Sequence, residues 1–228
     1  YTIRPGDTIL DLIERAGGLN DIGFSEGAVF LREDVASSQK KAFERSADEL
    51  EQTIIDIITK GSLGSITEFT LTPISTLITR LRAENPPGRL VVDIDRLTLK
   101  KNPVKNFKVR GGDYLFIPKR PDSISVVGEV LNSSTLTFDP GKNVEYYLSL
   151  SGGLKDSADK DKIFIIYPNG KSELVKRSLF SSNNMLLPGS TVYVSRDPRP
   201  FDAINLTQII TPILANLATS AAALAAID

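Results

Sequence analysis

The sequence predicts an α+β protein built from two tandem copies of one small unit and followed by a C-terminal helix. Residues 5–19, PGDTILDLIERAGGL, return as residues 140–154, PGKNVEYYLSLSGGL, with Pro, Gly, Gly, Gly and Leu at a constant offset. Short apolar segments typical of strands follow each copy. A repeated unit of helix and strands indicates two related modules, each a small mixed sheet with one helix across it.

Each copy begins with a predicted helix of about three turns that buries one face. The Pro-Gly pair predicts a turn, with Asp7 or Thr8 as the helix cap. A phosphate-binding loop is disfavoured there, because the Gly-rich run and the Lys that such a loop needs are absent. The Gly-Gly pair predicts the helix end. The apolar positions of the two copies correspond: Ile9, Leu12, Ile13 and Ala16 in the first, and Val144, Tyr147 and Leu148 in the second.

The first copy differs from the second by a predicted helical insertion. In the second copy, an apolar strand at residues 162–167 turns at once through Pro168, Asn169 and Gly170 into residues 172–179. In the first copy, the corresponding strand at residues 28–32 leads into an amphipathic helix over residues 35–60 and a shorter helix before Pro86. The returning strand, residues 89–95, comes only afterwards. We therefore predict a helical hairpin inserted at about residues 34–88.

The two copies end alike, which sets the predicted boundaries. Residues 109–121 align with residues 186–198, each a Gly-containing turn followed by an alternating strand. Residues 123–131 and 135–138 predict a hairpin that opens the second copy, whereas Tyr1 opens directly into a strand-like segment. We expect a processed or truncated fragment whose first module lacks its N-terminal strand. We define the first repeat as residues 1–121, the second repeat as residues 122–200, and the C-terminal segment as residues 201–228.

Composition excludes several function classes. The chain has no Cys and no His, which rules out Ser-His and Cys-His catalysis, Cys/His zinc sites and disulfides. The net charge is −1, with Lys and Arg scattered along the chain. A nucleic-acid-binding protein would need a concentrated basic face, so we predict no nucleic-acid partner. No cofactor is predicted.

The remaining candidates for chemistry are carboxylates. Asp93 and Asp95 lie two residues apart, so on a strand they share one face while the residues between and before them point the other way. That alternation is typical of a half-buried strand with a solvated side, and it favours a structural role over catalysis. Glu33 and Asp34 begin the inserted helix, where acidic residues suit the N-terminal dipole. We predict no catalytic and no metal-binding residue.

Exposed aromatic residues are the usual contacts for sugars, and few candidates emerge. Tyr146 and Tyr147 are neighbours on a helix and cannot both face inward. Tyr147 matches the core position Leu12, which leaves Tyr146 as the surface candidate. Tyr114 and Phe116 alternate along one strand face and are expected in the core. No sugar site is assigned from these residues.

The C-terminal segment contains no charged residue between 203 and 227. As a helix it would be about 37 Å long, enough to cross a hydrocarbon core of about 30 Å. Its polar residues fall along one side and its large apolar residues opposite, with Pro212 inside the segment. We predict that Asn205, Gln208, Asn216, Thr219 and Ser220 line a pore, and that Leu206, Ile210, Ile213, Leu214, Leu217 and Leu224 face lipid. The alternative is an amphipathic helix packed on one of the repeats or on a partner.

The ordered motifs carry a family resemblance over essentially the whole chain. The string VVGEV, FDPGKNVEYYLSLSGGL, IFIIYPNGK and LLPGSTVYVSRDP resembles the soluble-ligand-binding β-grasp (SLBB) module, and the first repeat resembles it too. Two such modules followed by a C-terminal helix resemble the outer-membrane polysaccharide export family. The family's N-terminal export domain, with its lipidated Cys, has no counterpart in this sequence.

The resemblance implies a non-enzymatic subunit of a channel that exports capsular or extracellular polysaccharide. It implies a homo-oligomeric ring with the β-grasp modules in the periplasm and the C-terminal helices forming a barrel through the Gram-negative outer membrane. An inner-membrane polysaccharide co-polymerase or kinase is the implied partner. The alternative from another class is a soluble periplasmic protein that binds polysaccharide or another ligand.

Overall fold

The computed structural model describes residues 2–59, 68–175 and 185–197, and the α+β architecture predicted from the sequence is confirmed. A three-stranded sheet lies in the first repeat and a five-stranded sheet in the second. In chain order, the helices and strands of these residues are α1 (Ile9–Arg15), β1 (Val29–Leu31), α2 (Glu33–Thr59), α3 (Glu68–Ala83), β2 (Arg89–Leu90), α4 (Arg96–Lys101), β3 (Tyr114–Phe116), β4 (Ser123–Gly128), β5 (Ser134–Thr137), α5 (Val144–Leu150), β6 (Ala158–Ile166), β7 (Ser172–Leu174) and β8 (Thr191–Arg196).

Helices α1 and α5 are fixed by local signals at both ends. The Thr8 hydroxyl accepts a hydrogen bond from the Asp11 N–H, and the Asp11 carboxylate accepts one from the Thr8 N–H, which makes a capping box. Gly17 and Gly18 then take φ angles of 101° and 82°, the left-handed conformation that ends helices. At the start of α5, the Asn143 side chain accepts a hydrogen bond from the Tyr146 N–H. Each helix has 7 residues, about two turns rather than the predicted three, because the cap lies beyond the Pro-Gly turn.

The five-stranded sheet is mixed and carries α5 across one face. Its order is β5-β4-β8-β6-β7, with β4 and β8 parallel and the other neighbours antiparallel. Alternate residues of three strands face α5, as the two-residue period of a strand requires. The cluster that they bury together contains Ile124, Val126, Val144, Tyr147, Leu148, Ile163, Ile165, Val192 and Val194. The β-grasp assignment itself stays a prediction.

The three-stranded sheet has the order β2-β1-β3 and is antiparallel throughout. Its buried cluster joins Ile9, Leu10 and Ile13 of α1 to Phe30 of β1. The register matches that of the second repeat: Phe30 pairs with Leu115, and at the repeat-equivalent positions Ile165 pairs with Val192. The inserted helices between β1 and β2 therefore leave the strand pairing intact.

Helices α2 and α3 form the predicted helical hairpin, which has a core of its own. Their apolar positions recur at helical spacing and meet between the two helices. The side chains buried there are Phe43, Ala47, Leu50, Ile78 and Leu81. This cluster is separate from the two sheet cores, so the hairpin is a distinct packing unit joined to the sheet at its base.

The predicted strand over residues 89–95 is wrong in its length. Only Arg89 and Leu90 pair with β1, although Val92 and Ile94 are buried in the predicted alternation. The Asp95 carboxylate accepts a hydrogen bond from the Thr98 N–H at 2.8 Å and so caps α4. This helix start ends the extended segment and was not predicted from the sequence.

The expected burial of Tyr114 is also wrong, since Tyr114 is 46% exposed. Phe30 faces the core and pairs directly with Leu115, and directly paired residues point to the same face of a sheet. Leu115 and Ile117 consequently pack on the core, and Tyr114 points away. Phe116 is half-buried.

Candidate functional surfaces

The base of the inserted hairpin is tied to the first sheet by a nearly buried ion pair. The Arg32 guanidinium donates from Nε and Nη2 to the two Asp113 carboxylate oxygens at 2.8 and 2.7 Å. The two side chains are 13% and 4% exposed. Arg32 also lies 5.3 Å from the ring centroids of both Phe30 and Phe107. A bidentate pair fixes direction as well as distance, so the residue before α2 is held on the turn before β3.

The electrostatics make this anchor a permanent ion pair. Burial opposes ionisation of Asp113, but hydrogen bonds from Arg32 and from the Arg110 N–H outweigh it and hold the pKa of Asp113 below 3.8. The hydrogen bond from Arg32 to Asp113 raises the pKa of Arg32 in turn. Neither group is therefore placed to exchange a proton near neutral pH.

A second, exposed ion pair reaches the first turn of α2. The Arg110 guanidinium Nη1 lies 2.5 Å from Asp34 Oδ2. Asp34 also occupies the helix start that the sequence analysis assigned to it, where its charge suits the dipole. Because both side chains are more than half exposed, this pair contributes little stability and chiefly adds orientation.

At the positions equivalent to Arg32 and Asp113, the second repeat carries Tyr167 and Ser190. The Tyr167 hydroxyl donates to Glu173 at 3.0 Å, and burial together with this hydrogen bond raises the pKa of Tyr167 to about 12. Ser190 is fully buried, and its hydroxyl accepts from the Leu187 N–H at 3.2 Å. The second repeat thus has a tyrosine and a serine at a tight turn, where the first repeat anchors a long insertion with a nearly buried ion pair.

The two repeats touch through Arg89, which is 8% exposed. Its Nη2 donates to the Pro168 carbonyl, and Gly170 lies so close that a Cβ there would be 2.9 Å from Arg89 Nε. From the other side, Gln39 of α2 donates to the Arg89 carbonyl at 3.3 Å. Arg89 Nε and Nη1 have no hydrogen-bond partner among the described residues. Burial alone lowers the pKa of Arg89 to about 10. Arg89 is therefore packed between the hairpin base and the tight turn of the second repeat.

The outward faces of the helical hairpin are charged and open to solvent. Arg82 of α3 donates to Asp48 at 2.8 Å and to Glu51 at 2.5 Å on α2. These hydrogen bonds raise the pKa of Arg82. Helix α2 carries seven Asp or Glu against three Lys or Arg, counted over Glu33–Thr59. Helix α3 carries one Glu against two Arg, counted over Glu68–Ala83, so the acidic excess of the hairpin lies on α2.

The two carboxylates weighed for catalysis serve the structure. Asp95 caps α4, and its hydrogen bonds to the Thr98 N–H and hydroxyl lower its pKa. Asp93 accepts from the Lys105 ammonium at 2.9 Å and from the Asp95 N–H at 3.2 Å. Each carboxylate thus accepts hydrogen bonds from nearby donors, and the two carboxylates do not share a proton.

Of the two neighbouring tyrosines on α5, Tyr147 is buried, as the sequence predicts. Tyr147 is fully buried, and its hydroxyl accepts from the Asp139 N–H at 2.7 Å. Tyr146 is half-buried, stands edge-on to Tyr147 at a centroid distance of 5.2 Å, and has the Lys142 ammonium 5.0 Å from its ring centroid. A half-buried aromatic ring next to a cation does not by itself identify a sugar-binding site.

The predicted pore-lining and lipid-facing residues lie outside the described residues, and their roles stay predictions. They are Asn205, Gln208, Asn216, Thr219 and Ser220, and Leu206, Ile210, Ile213, Leu214, Leu217 and Leu224. Among residues 2–59, 68–175 and 185–197, no helix combines the length and apolar character needed to cross a membrane. Over the same residues, no group of three or more acidic side chains could hold a metal ion.

A known protein family matches most of the second repeat and part of the C-terminal segment. The family described as "Capsule biosynthesis GfcC C-terminal" matches residues 132–218. The match includes strands β5 to β8 and helix α5, and it extends into the C-terminal segment.

Comparison with curated proteins extends the similarity along nearly the whole chain. Two sequences of the polysialic acid transport protein KpsD from Escherichia coli are 24% and 25% identical over 218 and 221 residues, which is 95% of this chain. The uncharacterized protein YjbG from Escherichia coli K12 is 24% identical over 122 residues, 53% of this chain. The aligned part is 36% of KpsD and 49% of YjbG, so this chain spans a half or less of these relatives. With the capsule biosynthesis match, these similarities confirm the family resemblance seen in the sequence.

Proposed function

We propose that this chain, which resembles outer-membrane polysaccharide export proteins, is a non-enzymatic subunit of an exporter of capsular or extracellular polysaccharide. The observation that carries the proposal is the similarity to a polysialic acid transport protein along 95% of the chain. The match of residues 132–218 to a capsule biosynthesis family supports the same class of polymer.

In this proposal the two repeats, residues 1–121 and 122–200, are β-grasp modules in the periplasm. The mixed order of the five-stranded sheet and the single helix across it support that assignment. The matching register of β1 with β3 and of β6 with β8 supports a common origin of the two modules. Copies of the chain would stack these modules into rings around the exported polymer.

The C-terminal segment, residues 201–228, would form the exit through the outer membrane. Transport through such a channel needs a wide hydrated lumen rather than a reactive side chain. Neutral amide and hydroxyl groups hydrate the lumen without holding a polyhydroxylated chain strongly. The stripe of Asn, Gln, Thr and Ser in the segment would supply this lining, and the opposite Leu and Ile face would contact lipid.

The helical hairpin would contact a neighbouring subunit or an inner-membrane co-polymerase or kinase. The acidic excess of α2 and the separate core of the hairpin support a role in binding other proteins rather than in stabilising the sheet. Replacement of residues 32–88 by the tight turn of residues 167–171, together with Asp113→Ser to match Ser190, should weaken this contact without unfolding the first sheet. If assembly and export both survived that replacement, the role of the hairpin in assembly would be wrong.

The test of the export proposal measures the mass of the detergent-extracted particle with and without residues 203–228. We expect a large ring that loses its membrane association on truncation. A monomer in both forms that is soluble without detergent would contradict the proposal.

A matched pair of substitutions tests the two faces of the segment. Leu217→Lys places a charge on the lipid-facing side and should block insertion and export. Asn216→Lys, one residue earlier and on the pore side, should leave insertion intact. Equal export by both variants would contradict the assignment of the two faces.

The second candidate is a soluble periplasmic accessory protein that binds polysaccharide. The observation that favours it is the match of the second repeat to a family described for capsule biosynthesis rather than transport. In that case the purified chain should bind oligosaccharide as a monomer, and removal of residues 203–228 should not change its location.

A further inference from the structure

An acidic stripe runs along one side of α2, the helix that carries the acidic excess of the hairpin. Glu44, Asp48 and Glu51 follow one another at spacings of four and three residues, so they share a side of the helix. All three are exposed, and Ile55, four residues further along the same side, is 47% exposed. Among the described residues, Arg82 is the one cation that pairs with these carboxylates. We call Glu44, Asp48, Glu51 and Ile55 the acidic stripe.

Residues 96–110 form a basic segment in the same repeat. They include six Lys or Arg and no Asp or Glu, so the basic residues of the chain are concentrated here rather than evenly scattered. Four of the six pair with acids of their own chain: Arg96 and Lys100 with Glu14, Lys105 with Asp93, and Arg110 with Asp34. The other two, Lys101 and Lys108, are exposed and have no ion-pair partner among the described residues.

The basic segment also exposes apolar side chains. Leu97 and Lys101 lie four residues apart, on the side of α4 that points away from the buried Leu99. Leu97 is 66% exposed, and Val104, just after the helix, is 88% exposed. The acidic stripe and the basic segment therefore have opposite charges, and each carries exposed aliphatic side chains. These are the properties of two complementary binding surfaces.

The two surfaces do not meet within one chain. Arg110, at the end of the basic segment, pairs with Asp34 in the first turn of α2. Glu44 and Glu51 lie about 15 and 26 Å further along the helix, at 1.5 Å per residue. Among the described residues, no ion pair joins the basic segment to the acidic stripe. The stripe therefore extends away from its own basic segment, where another molecule can reach it.

We propose that the acidic stripe of one copy of this chain docks on the basic segment of the next copy. The inference rests on the proposed function, in which copies of the chain form rings, and it names the contact that the hairpin makes. Because the two surfaces differ, each copy would use its stripe toward one neighbour and its basic segment toward the other. Such heterologous contacts close into rings when the rotation between copies allows it. The charges would set register and orientation, and the aliphatic side chains would bury apolar area.

An anionic membrane surface is a less suitable partner. Lysines beside Leu97 and Val104 would suit the interface of a bilayer with anionic lipids. A membrane would leave the acidic stripe on α2 without a partner, and its carboxylates would be repelled by the same lipids. A second copy accounts for both surfaces at once, since each supplies what the other lacks.

The test reverses the charge of each surface in the full chain and measures the mass of the detergent-extracted particle. One variant carries Lys101→Glu with Lys108→Glu, and the other carries Glu44→Lys with Asp48→Lys, which leaves Glu51 to pair with Arg82. We expect each variant alone to assemble at least about tenfold more weakly than the parent chain, because its two surfaces then repel.

An equimolar mixture of the two variants should assemble again. One variant presents two acidic surfaces and the other two basic surfaces, so copies of the two can alternate. The matched control is Lys155→Glu with Lys160→Glu, which makes the same charge change at exposed positions of the second repeat. This control should assemble like the parent. Amide hydrogen exchange shows that each variant keeps its sheets folded.

Three results would overturn the inference. Rings formed by each variant alone would mean that other surfaces hold the copies together, and the export proposal would stand. A folded but monomeric mixture would mean that the two surfaces do not meet. Binding of the parent to phosphatidylglycerol vesicles that is lost in Lys101→Glu with Lys108→Glu, with assembly unchanged, would assign the basic segment to a membrane. A parent chain that is itself monomeric would instead contradict the ring of the proposed function.

Discussion

The connection that follows β1 in the first repeat and the equivalent β6 in the second differs most between the two repeats. In the first repeat, residues 32–88 run between β1 and β2, whereas in the second only residues 167–171 separate β6 from β7. Yet Phe30 pairs with Leu90 in the first sheet, as the equivalent Ile165 pairs with Glu173 in the second. A long insertion and a tight turn thus join strands of the same register.

The difference shows how the insertion is accommodated. The ion pair of Arg32 and Asp113 fixes the outgoing chain, while at the same positions Tyr167 donates to the Glu173 carboxylate and Ser190 accepts from a backbone N–H. The return is fixed by Gly88, whose backbone passes against Arg32 and Ala36 at the start of α2. The insertion is therefore held at its entrance and exit, and its own core does not contribute to the sheet.

The largest expected effect is that of closing the space at the return point. In Gly88→Ala, the added Cβ would lie 2.2 Å from the Arg32 carbonyl oxygen, at a φ of 76°. We expect a loss of about 3 kcal/mol in the free energy of unfolding, measured by urea denaturation. Gly112→Ala is the control, because Gly112 has a φ of 86° but nothing within 4 Å, and it should lose only about 1 kcal/mol. Equal losses would mean that the close approach at Gly88 carries no weight.

An effect of similar size comes from breaking the buried anchor. Asp113→Ala leaves the Arg32 guanidinium nearly buried and unpaired, and should cost about 3 kcal/mol of stability. Ser190→Ala at the equivalent position removes a neutral hydrogen bond and should cost about 1 kcal/mol. Arg32→Met combined with Asp113→Leu should recover most of the loss. Urea unfolding measures the loss in each variant. If Asp113→Ala lost no more stability than Ser190→Ala, the ion pair would not anchor the first repeat more strongly than the hydrogen bond anchors the second.

Lowering the pH should destabilise the first repeat before the second. Hydrogen bonds lower the pKa of Asp7, Asp11, Asp95 and Asp113, all in the first repeat. A lowered folded pKa adds stability above the unfolded value of about 3.9, and this stability is lost as the pH falls through the folded value. The amides of the first sheet should therefore lose protection before those of the second as the pH falls below about 4. Hydrogen exchange that opens the second sheet first, after correction for intrinsic rates, would contradict this.

The smallest effect is expected at the junction between the repeats. Arg89→Met keeps the buried stem but removes a guanidinium with only one hydrogen bond from its side chain among the described residues. We expect a change in unfolding free energy within about 1 kcal/mol, whereas Arg89→Ala should lose about 2 kcal/mol by leaving a cavity. Thermal and urea unfolding measure both. A large loss of unfolding free energy in Arg89→Met would instead mean that the guanidinium makes a strong stabilising interaction.

Features governed by neighbouring residues were predictable from the sequence. The Pro-Gly and Gly-Gly pairs marked the ends of α1 and α5, because caps and left-handed glycines act within a few residues. The helical hairpin followed from the spacing of its apolar residues, and the turn at Gly170 from its tripeptide. The α+β class followed because each repeated unit combines one helix with several strand-like segments.

Features set by distant pairing were not predictable. Arg32 and Asp113 lie 81 residues apart, and the sequence gives no signal that they meet. The orientation of Tyr114 depends on which residue of β3 pairs with Phe30, and a register shift of one residue reverses the faces. The burial of Arg89 depends on contact between the two repeats, for which an arginine at a strand start is no signal.

The unequal connections also bear on the order in which the chain folds. Strands β6 and β7 can meet through a turn of residues 167–171, whereas β1 and β2 must close a loop of residues 32–88. The entropic cost of that closure is larger by about 2 kcal/mol, unless the helical hairpin forms first and shortens the effective loop. The second repeat should therefore nucleate early, and the first should wait for Phe43, Leu50 and Leu81 to collapse together.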